Sequence, residues 1–389
     1  MTVSLRHISA SVVYLWVAAL FYEAFTAPPR LIVFGMLVEA ERSRTVVLLV
    51  GVTIACCAAI IISNRSSYIA GIIKYSTPNI LLFILSFFLI GLGILQNSPS
   101  GVAYAILLCL TLILTLYINH SLSNSFYFSI SVLLACSLLV FLIYYGFPNN
   151  RWIGGIHPNH TGAFCVSTAY FAARSRNRYR WLLYAIAAFF AIVVSSRYAI
   201  IAIFIIGIFD YFTLIKLSLS RLFMTVFLAF IGFIFVVTVS DYILIDVLRL
   251  DDPNRGLGSG MTGRTDMMGN FWGQFVKHPL IGYGFRNRDE YITTHNGFLN
   301  FALENGFFAT CILAAVVYSG IYRSIRNFRT SRDSLQLMRF GFWSAWLTAG
   351  FFQPQIVNFG DAFALFTFFL LTDNRLESAT SRSPPCQPI

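Results

Sequence analysis

His295 opens the stretch THNGFLNFALENG, residues 294–306, in which a polar turn leads into an apolar run. A helix beginning there places its positive end beside the imidazole and favours the neutral ring. A neutral imidazole accepts a proton near neutral pH, which is what a general base requires. Thr294 fits the N-cap of that helix. A histidine that merely closes a helix end has the same residue pattern, so both roles stand at this point. Glu304 follows nine residues later. In a continuous helix it lies half a turn out of phase with His295, about 13 Å along the axis, and does not touch it. A carboxylate inside an apolar run is costly and faces the protein interior. Glu304 therefore reads as a support residue that holds a neighbouring span or loop.

Positive charge is placed just as selectively. Arg197 lies in VVSSRYAII, in a connection of a few residues between two apolar segments. Arg264 lies in GMTGRTDMM, after a glycine-rich turn and before the amphipathic run DMMGNFWGQFV. Arg286 and Arg288 follow in GYGFRNRDE. A guanidinium fork binds phosphate through two parallel hydrogen bonds and keeps its charge at all relevant pH values. Several such forks at membrane level suit a lipid diphosphate headgroup; contact with ordinary anionic lipid, or snorkelling, is the alternative. Arg197 and Arg264 are the candidate diphosphate ligands. Arg286, Arg288 and Asp361, in NFGDAF, are support candidates. His157 and His160 are spaced i, i+3 in a turn-rich stretch with no evident third ligand, and Asp251-Asp252 is not a D-x-D motif. We therefore expect neither a metal nor a cofactor.

The elements that must hold these groups follow from composition. The 389 residues are 57% hydrophobic and 11% charged, with mean hydropathy +0.73. Soluble domains carry roughly 25% charged residues. The expected fold class is all-α: a polytopic membrane protein of about twelve spans, each needing about 20 apolar residues. The spans fall near 8–26, 45–63, 80–96, 101–118, 126–145, 160–173, 181–195, 198–215, 222–239, 297–322, 339–354 and 360–372. Residues 1–239 then form nine transmembrane helices, 240–296 one larger external loop, 297–372 three more helices and 373–389 a tail. The stretch 8–26 carries Glu23 and ends at Pro28-Pro29, and reads as a first span and not as a removed leader. Six of the seven cysteines lie in apolar segments without C-x-x-C spacing and read as small buried hydrophobes.

The net charge of +11 is the excess of Lys and Arg expected in cytoplasmic loops, and implies no nucleic-acid partner. Arg174, Arg176, Arg178 and Arg180, Lys216 and Arg221, and Arg323, Arg326, Arg329, Arg332 and Arg339 all fall on one side, with both termini. That side is expected to be cytoplasmic. The arginines at 197, 264, 286 and 288 lie on the other.

The order SSR at a span start, GR opening a long external loop, KHPLIGYGF, then HNGFLNFALENG resembles the O-antigen ligase and O-antigen polymerase superfamily of bacterial inner membranes. The resemblance covers about residues 150–320. It implies a metal-independent, inverting glycosyltransferase that works at the periplasmic face of the inner membrane. The implied donor is a glycan on undecaprenyl diphosphate, and the implied acceptor is a glycan or lipid A-core. His295 would then be the base toward the acceptor hydroxyl, with Arg197 and Arg264 on the diphosphate. Two features depart from the pattern. The external loop, about 55 residues, is modest for a lipid A-core acceptor, and ENGFFATC lacks a second glycine that relatives often carry. The ligase reading leads, with repeat-unit polymerase of O-antigen or exopolysaccharide beside it. A transporter of lipid-linked glycan is the remaining alternative; it would place basic residues deep in several spans.

Overall fold

The computed structural model describes residues 10–18, 51–60, 77–121, 124–148, 153, 158–214, 264–285, 287, 294, 296–331, 334–352 and 357. Among these residues the chain is all-helical. The principal helices are α1 (Thr77–Leu95), α2 (Pro99–Ser121), α3 (Asn124–Tyr145), α4 (Pro158–Ser175) and α5 (Arg180–Val193). They are followed by α6 (Arg197–Leu214), α7 (Arg264–Phe275), α8 (Gly297–Ser331) and α9 (Ser334–Phe352). Residues 10–18 and 51–60 are also helical. The expected spans 222–239 and 360–372 lie outside the described residues. Thr77–Leu95, Asn124–Tyr145 and Gly297–Thr330 are long and apolar enough to cross a membrane.

α4 is the central rod. Every residue from Thr161 to Ser175 is buried. Its small side chains, Gly, Ala, Ser, Thr and Cys, allow α3, α5 and α6 to approach closely, the means by which helices associate where lipid removes the usual hydrophobic drive. Ser131 Oγ donates to the Thr168 carbonyl at 2.9 Å, and Tyr170 Oη to the Phe342 carbonyl at 3.0 Å. These bonds tie α4 to α3 and to α9. Elsewhere aromatic rings fill the space that glycines leave: Trp343 lies over Gly320 and Phe209 over Gly341. The second contact sets the end of α6 against the start of α9, so the two run antiparallel. Phe298 packs on Trp346 and Phe351. The start of α6, the end of α9 and the start of α8 therefore share one end of the bundle.

Three expectations are corrected. Arg174, Arg180 and Arg339 are not loop charges: they are buried in helices at 4%, 5% and 1% exposure. Arg180 pairs with Asp210 at 2.6 Å, with Tyr184 Oη on the same carboxylate at 3.3 Å, and the Arg174 guanidinium lies 4.5 Å from the Tyr127 ring centre. Arg176 and Arg178, by contrast, are exposed, as are Arg326 and Arg329 on the last turns of α8. Of the six cysteines in apolar segments, Cys56, Cys57 and Cys165 are buried, whereas Cys136 and Cys311 are exposed on outward helix faces. Finally, α8 extends to Ser331, nine residues past the expected span, because its polar second half continues the helix.

Candidate active site

The SSR triplet is a helix-to-helix corner. α5 ends in a Schellman arrangement: the Ser196 N–H donates to the Ala191 carbonyl at 2.8 Å and the Ser195 N–H to the Ile192 carbonyl at 2.8 Å. Ser195 takes the left-handed backbone this requires, φ 49°. Ser196 then starts α6, its carbonyl accepting from Ile200 at 3.1 Å. Arg197 is thereby fixed as the first residue of α6, half-buried. Gly162 of α4 faces this corner, where a side chain would collide with Ser196 Oγ. Tyr198 Oη donates to the Asn159 carbonyl at 2.6 Å and fastens α6 to the first turn of α4. Ser196 Oγ and Thr161 Oγ1 are buried here without a hydrogen bond from the described residues. Buried hydroxyls are ordinarily satisfied, and neither of these spends its hydrogen-bonding capacity on the described residues.

The turn before α8 is equally fixed. Asn296, not Thr294, is the N-cap: Asn296 Oδ1 accepts from the N–H groups of Phe298 and Leu299 at 3.0 and 3.1 Å. The Thr294 hydroxyl is engaged elsewhere. It lies 2.9 Å from Asn300 Oδ1, which also accepts from the Thr294 N–H at 2.8 Å. Its oxygen accepts in turn from the Asn296 N–H at 3.2 Å. THN thus has a hydrogen-bonded residue on each flank of position 295, and both flanks are buried. His295 itself lies outside the described residues, as do Arg286, Arg288, Asp361 and the side chain of Arg264. Arg264 begins α7.

The sequence does not announce how ENG and HPLIGYG are related. α8 is broken at Gly306, φ 77° and ψ −174°, a region open in practice only to glycine. A break leaves carbonyls before it and an N–H after it without helical partners. The 279–284 backbone supplies them. Tyr283 N–H donates to the Leu303 carbonyl at 2.8 Å and Gly284 N–H to Glu304 at 3.0 Å, while the Phe307 N–H reaches the Pro279 carbonyl at 2.8 Å. Gly282 and Gly306 permit the approach, since a side chain on either would strike the opposing backbone. Gln96, at the α1–α2 tip, donates to the Ile281 carbonyl at 2.6 Å, and Tyr104 packs on Phe285 with ring centres 4.9 Å apart. Tyr283 Oη donates to the Gln274 carbonyl at 3.0 Å, tying the loop back to α7. One clamp thus joins the α1–α2 tip, the end of α7 and the middle of α8. Glu304 is buried at its centre at 3% exposure, and the helix is continuous from Gly297 to it. The glycine-proline spacing of HPLIGYG was the available signal for this clamp. Gln96 carried none.

Residues 182–314 match a family model described as O-antigen ligase. This match supports the resemblance of the chain to the O-antigen ligase and polymerase superfamily. Comparison with curated proteins gives no match. The matched stretch contains nearly all of α5, then α6, α7, the 279–284 and 303–307 backbone segments of the clamp and the first half of α8, and with them positions 197, 264, 286, 288, 295 and 304. The family match and the apolar helices together support a membrane protein related to the O-antigen ligases.

Proposed function

We propose that the protein transfers a glycan from undecaprenyl diphosphate to an acceptor hydroxyl at the periplasmic face of the inner membrane, with lipid A-core as the acceptor. What carries the reading is a coincidence. The superfamily match spans Arg197, Arg264 and His295, and the starts of α6 and α8, which hold position 197 and follow position 295, share one end of the bundle. Buried hydroxyls that make no hydrogen bond to the described residues lie at the same corner.

In this mechanism His295 takes the proton of the acceptor hydroxyl. The resulting oxygen attacks the anomeric carbon from the face opposite the diphosphate, and a single displacement inverts that centre. The bond to the diphosphate oxygen breaks as negative charge grows on it. Arg197 and Arg264 meet that charge where it is largest, so they stabilise the transition state more than the bound donor. Guanidinium forks supply the positive charge directly, and no metal is required by this scheme. Glu304 acts through the clamp, with Arg286, Arg288 and Asp361 as further support of the headgroup region. The topology is about twelve spans, with both termini cytoplasmic and residues 240–296 on the periplasmic side.

The test is lipopolysaccharide electrophoresis on a deletion strain, with the lipid-linked glycan pool measured beside it. Long glycans retained on undecaprenyl diphosphate over an uncapped core are the expected result. A core capped by single repeat units would make the protein a polymerase. Unchanged lipopolysaccharide would remove the lipid A-core acceptor from the proposal.

A further inference from the structure

A groove of about 490 Å³ runs along the outer face of the α5–α6 hairpin. Small residues create it: Ala185 and Ala188 on α5 face Gly207 on α6, between larger neighbours. Its lining is almost wholly apolar, and Phe204 and Ile192 on its walls are 48% and 45% exposed. The groove is therefore open along its side.

Its direction is informative. Ile200, Phe204, Ile208 and Tyr211 lie three, seven, eleven and fourteen residues after Arg197 on the same helix. At about 100° per residue all four fall within about 60° of the Arg197 direction. One stripe of α6 thus carries a cation at its head and groove wall below it. The stretch from Ile200 to Tyr211 is about 17 Å long at 1.5 Å per residue, roughly half the hydrocarbon thickness of a bilayer. The far end is closed by Trp181 and Tyr211, whose rings lie 6.5 Å apart, above the buried Arg180–Asp210 pair.

We propose that this groove receives the polyprenyl chain of the donor, with the diphosphate at the Arg197 corner. The inference rests on the lipid diphosphate reading above and adds to it the seat of the chain. A cation heading an open apolar groove, one leaflet deep, complements an amphiphile with an anionic head and a long hydrocarbon chain. The seat makes carrier length a determinant of donor affinity.

Gly207→Leu tests it. No atom lies within 4 Å of where its Cβ would be, so the larger side chain enters the groove without disturbing the fold, and leucine favours the helix. Gly91→Leu on α1, equally unobstructed, is the control. Transfer is measured on the full chain in phosphatidylethanolamine–phosphatidylglycerol nanodiscs, with the glycan on undecaprenyl or on farnesyl diphosphate. Gly207→Leu is expected to raise KM for the undecaprenyl carrier about tenfold, a modest change in binding, with a much smaller rise for farnesyl and unchanged kcat. Equal effects on both carriers, no effect, or the same effect from Gly91→Leu would overturn the proposal.

A second measurement is independent of transfer. A photoreactive prenyl diphosphate without glycan should label Phe204 or Ile208, with undecaprenyl diphosphate competing and phosphatidylglycerol not. Labelling outside the groove, or equal competition by phosphatidylglycerol, would show that only bulk lipid fills it. If labelling is as expected and transfer is absent, the glycan-transfer reading fails and the lipid seat stands.

Discussion

The two ends of the helix bundle treat arginine in opposite ways. At one end Arg174, Arg180 and Arg339 are buried, and the protein itself answers the charge of Arg180 with Asp210 and that of Arg174 with the Tyr127 ring. At the other, Arg197 stands at a helix start beside buried hydroxyls that make no hydrogen bond to the described residues. A charge whose partner is built in stabilises and specifies the fold. Arg197, half-buried at the start of α6, stays within reach of a ligand. The comparison predicts that substitutions at the first end act on stability, and that those at the second act on turnover.

The largest stability effect is expected from Asp210→Ala. It leaves the buried Arg180 without its carboxylate, and removing one partner of a buried pair costs about 3–5 kcal/mol. Thermal unfolding in detergent should show it. Replacing both partners, Arg180→Met with Asp210→Leu, should recover most of the loss. A stability unchanged by Asp210→Ala would erase the contrast between the ends.

Next comes Gly306→Ala. The left-handed backbone at that position alone costs a non-glycine residue about 1–3 kcal/mol, and the added methyl meets the backbone of Leu280. Lower unfolding temperature together with impaired transfer is expected, because the clamp links α7 to α8. Wild-type stability would mean that the clamp does not hold α8 as described.

Gln96→Leu should cost less, about 1 kcal/mol, for one hydrogen bond to a loop carbonyl. The smallest stability effect is expected from Arg197→Lys, within about 0.5 kcal/mol. Its turnover should nevertheless fall, since an ammonium lacks the bidentate fork. A lysine variant with unchanged turnover would reassign Arg197 to ordinary lipid contact.

Much of this organisation is legible in the sequence. Hydropathy alone places α1 to α6 to within three residues, because each is a long apolar run bounded by turn residues, whereas α8 runs nine residues past its expected end and α9 starts five before its expected start. The corner at SSR and the polar turn at THN are visible as chemistry-bearing residues at span ends. What escapes is non-local. Arg174 and Arg180 look like loop charges, since their partners, Tyr127 and Asp210, come from other helices. ENG and HPLIGYG each read as an isolated glycine signal, and only the fold shows that the second fills the helix break made by the first. The cap shifted from Thr294 to Asn296 for a similar reason: Asn300, a full turn into the helix, occupies the threonine.

The central claim is that His295 removes the acceptor proton while arginines hold the diphosphate. The most direct measurement is release of undecaprenyl diphosphate by purified His295→Ala protein in nanodiscs, with donor and acceptor saturating. A fall of about 10²–10⁴-fold, the usual contribution of a general base, is predicted, with donor binding and folded yield retained. Release at the wild-type rate would contradict the account.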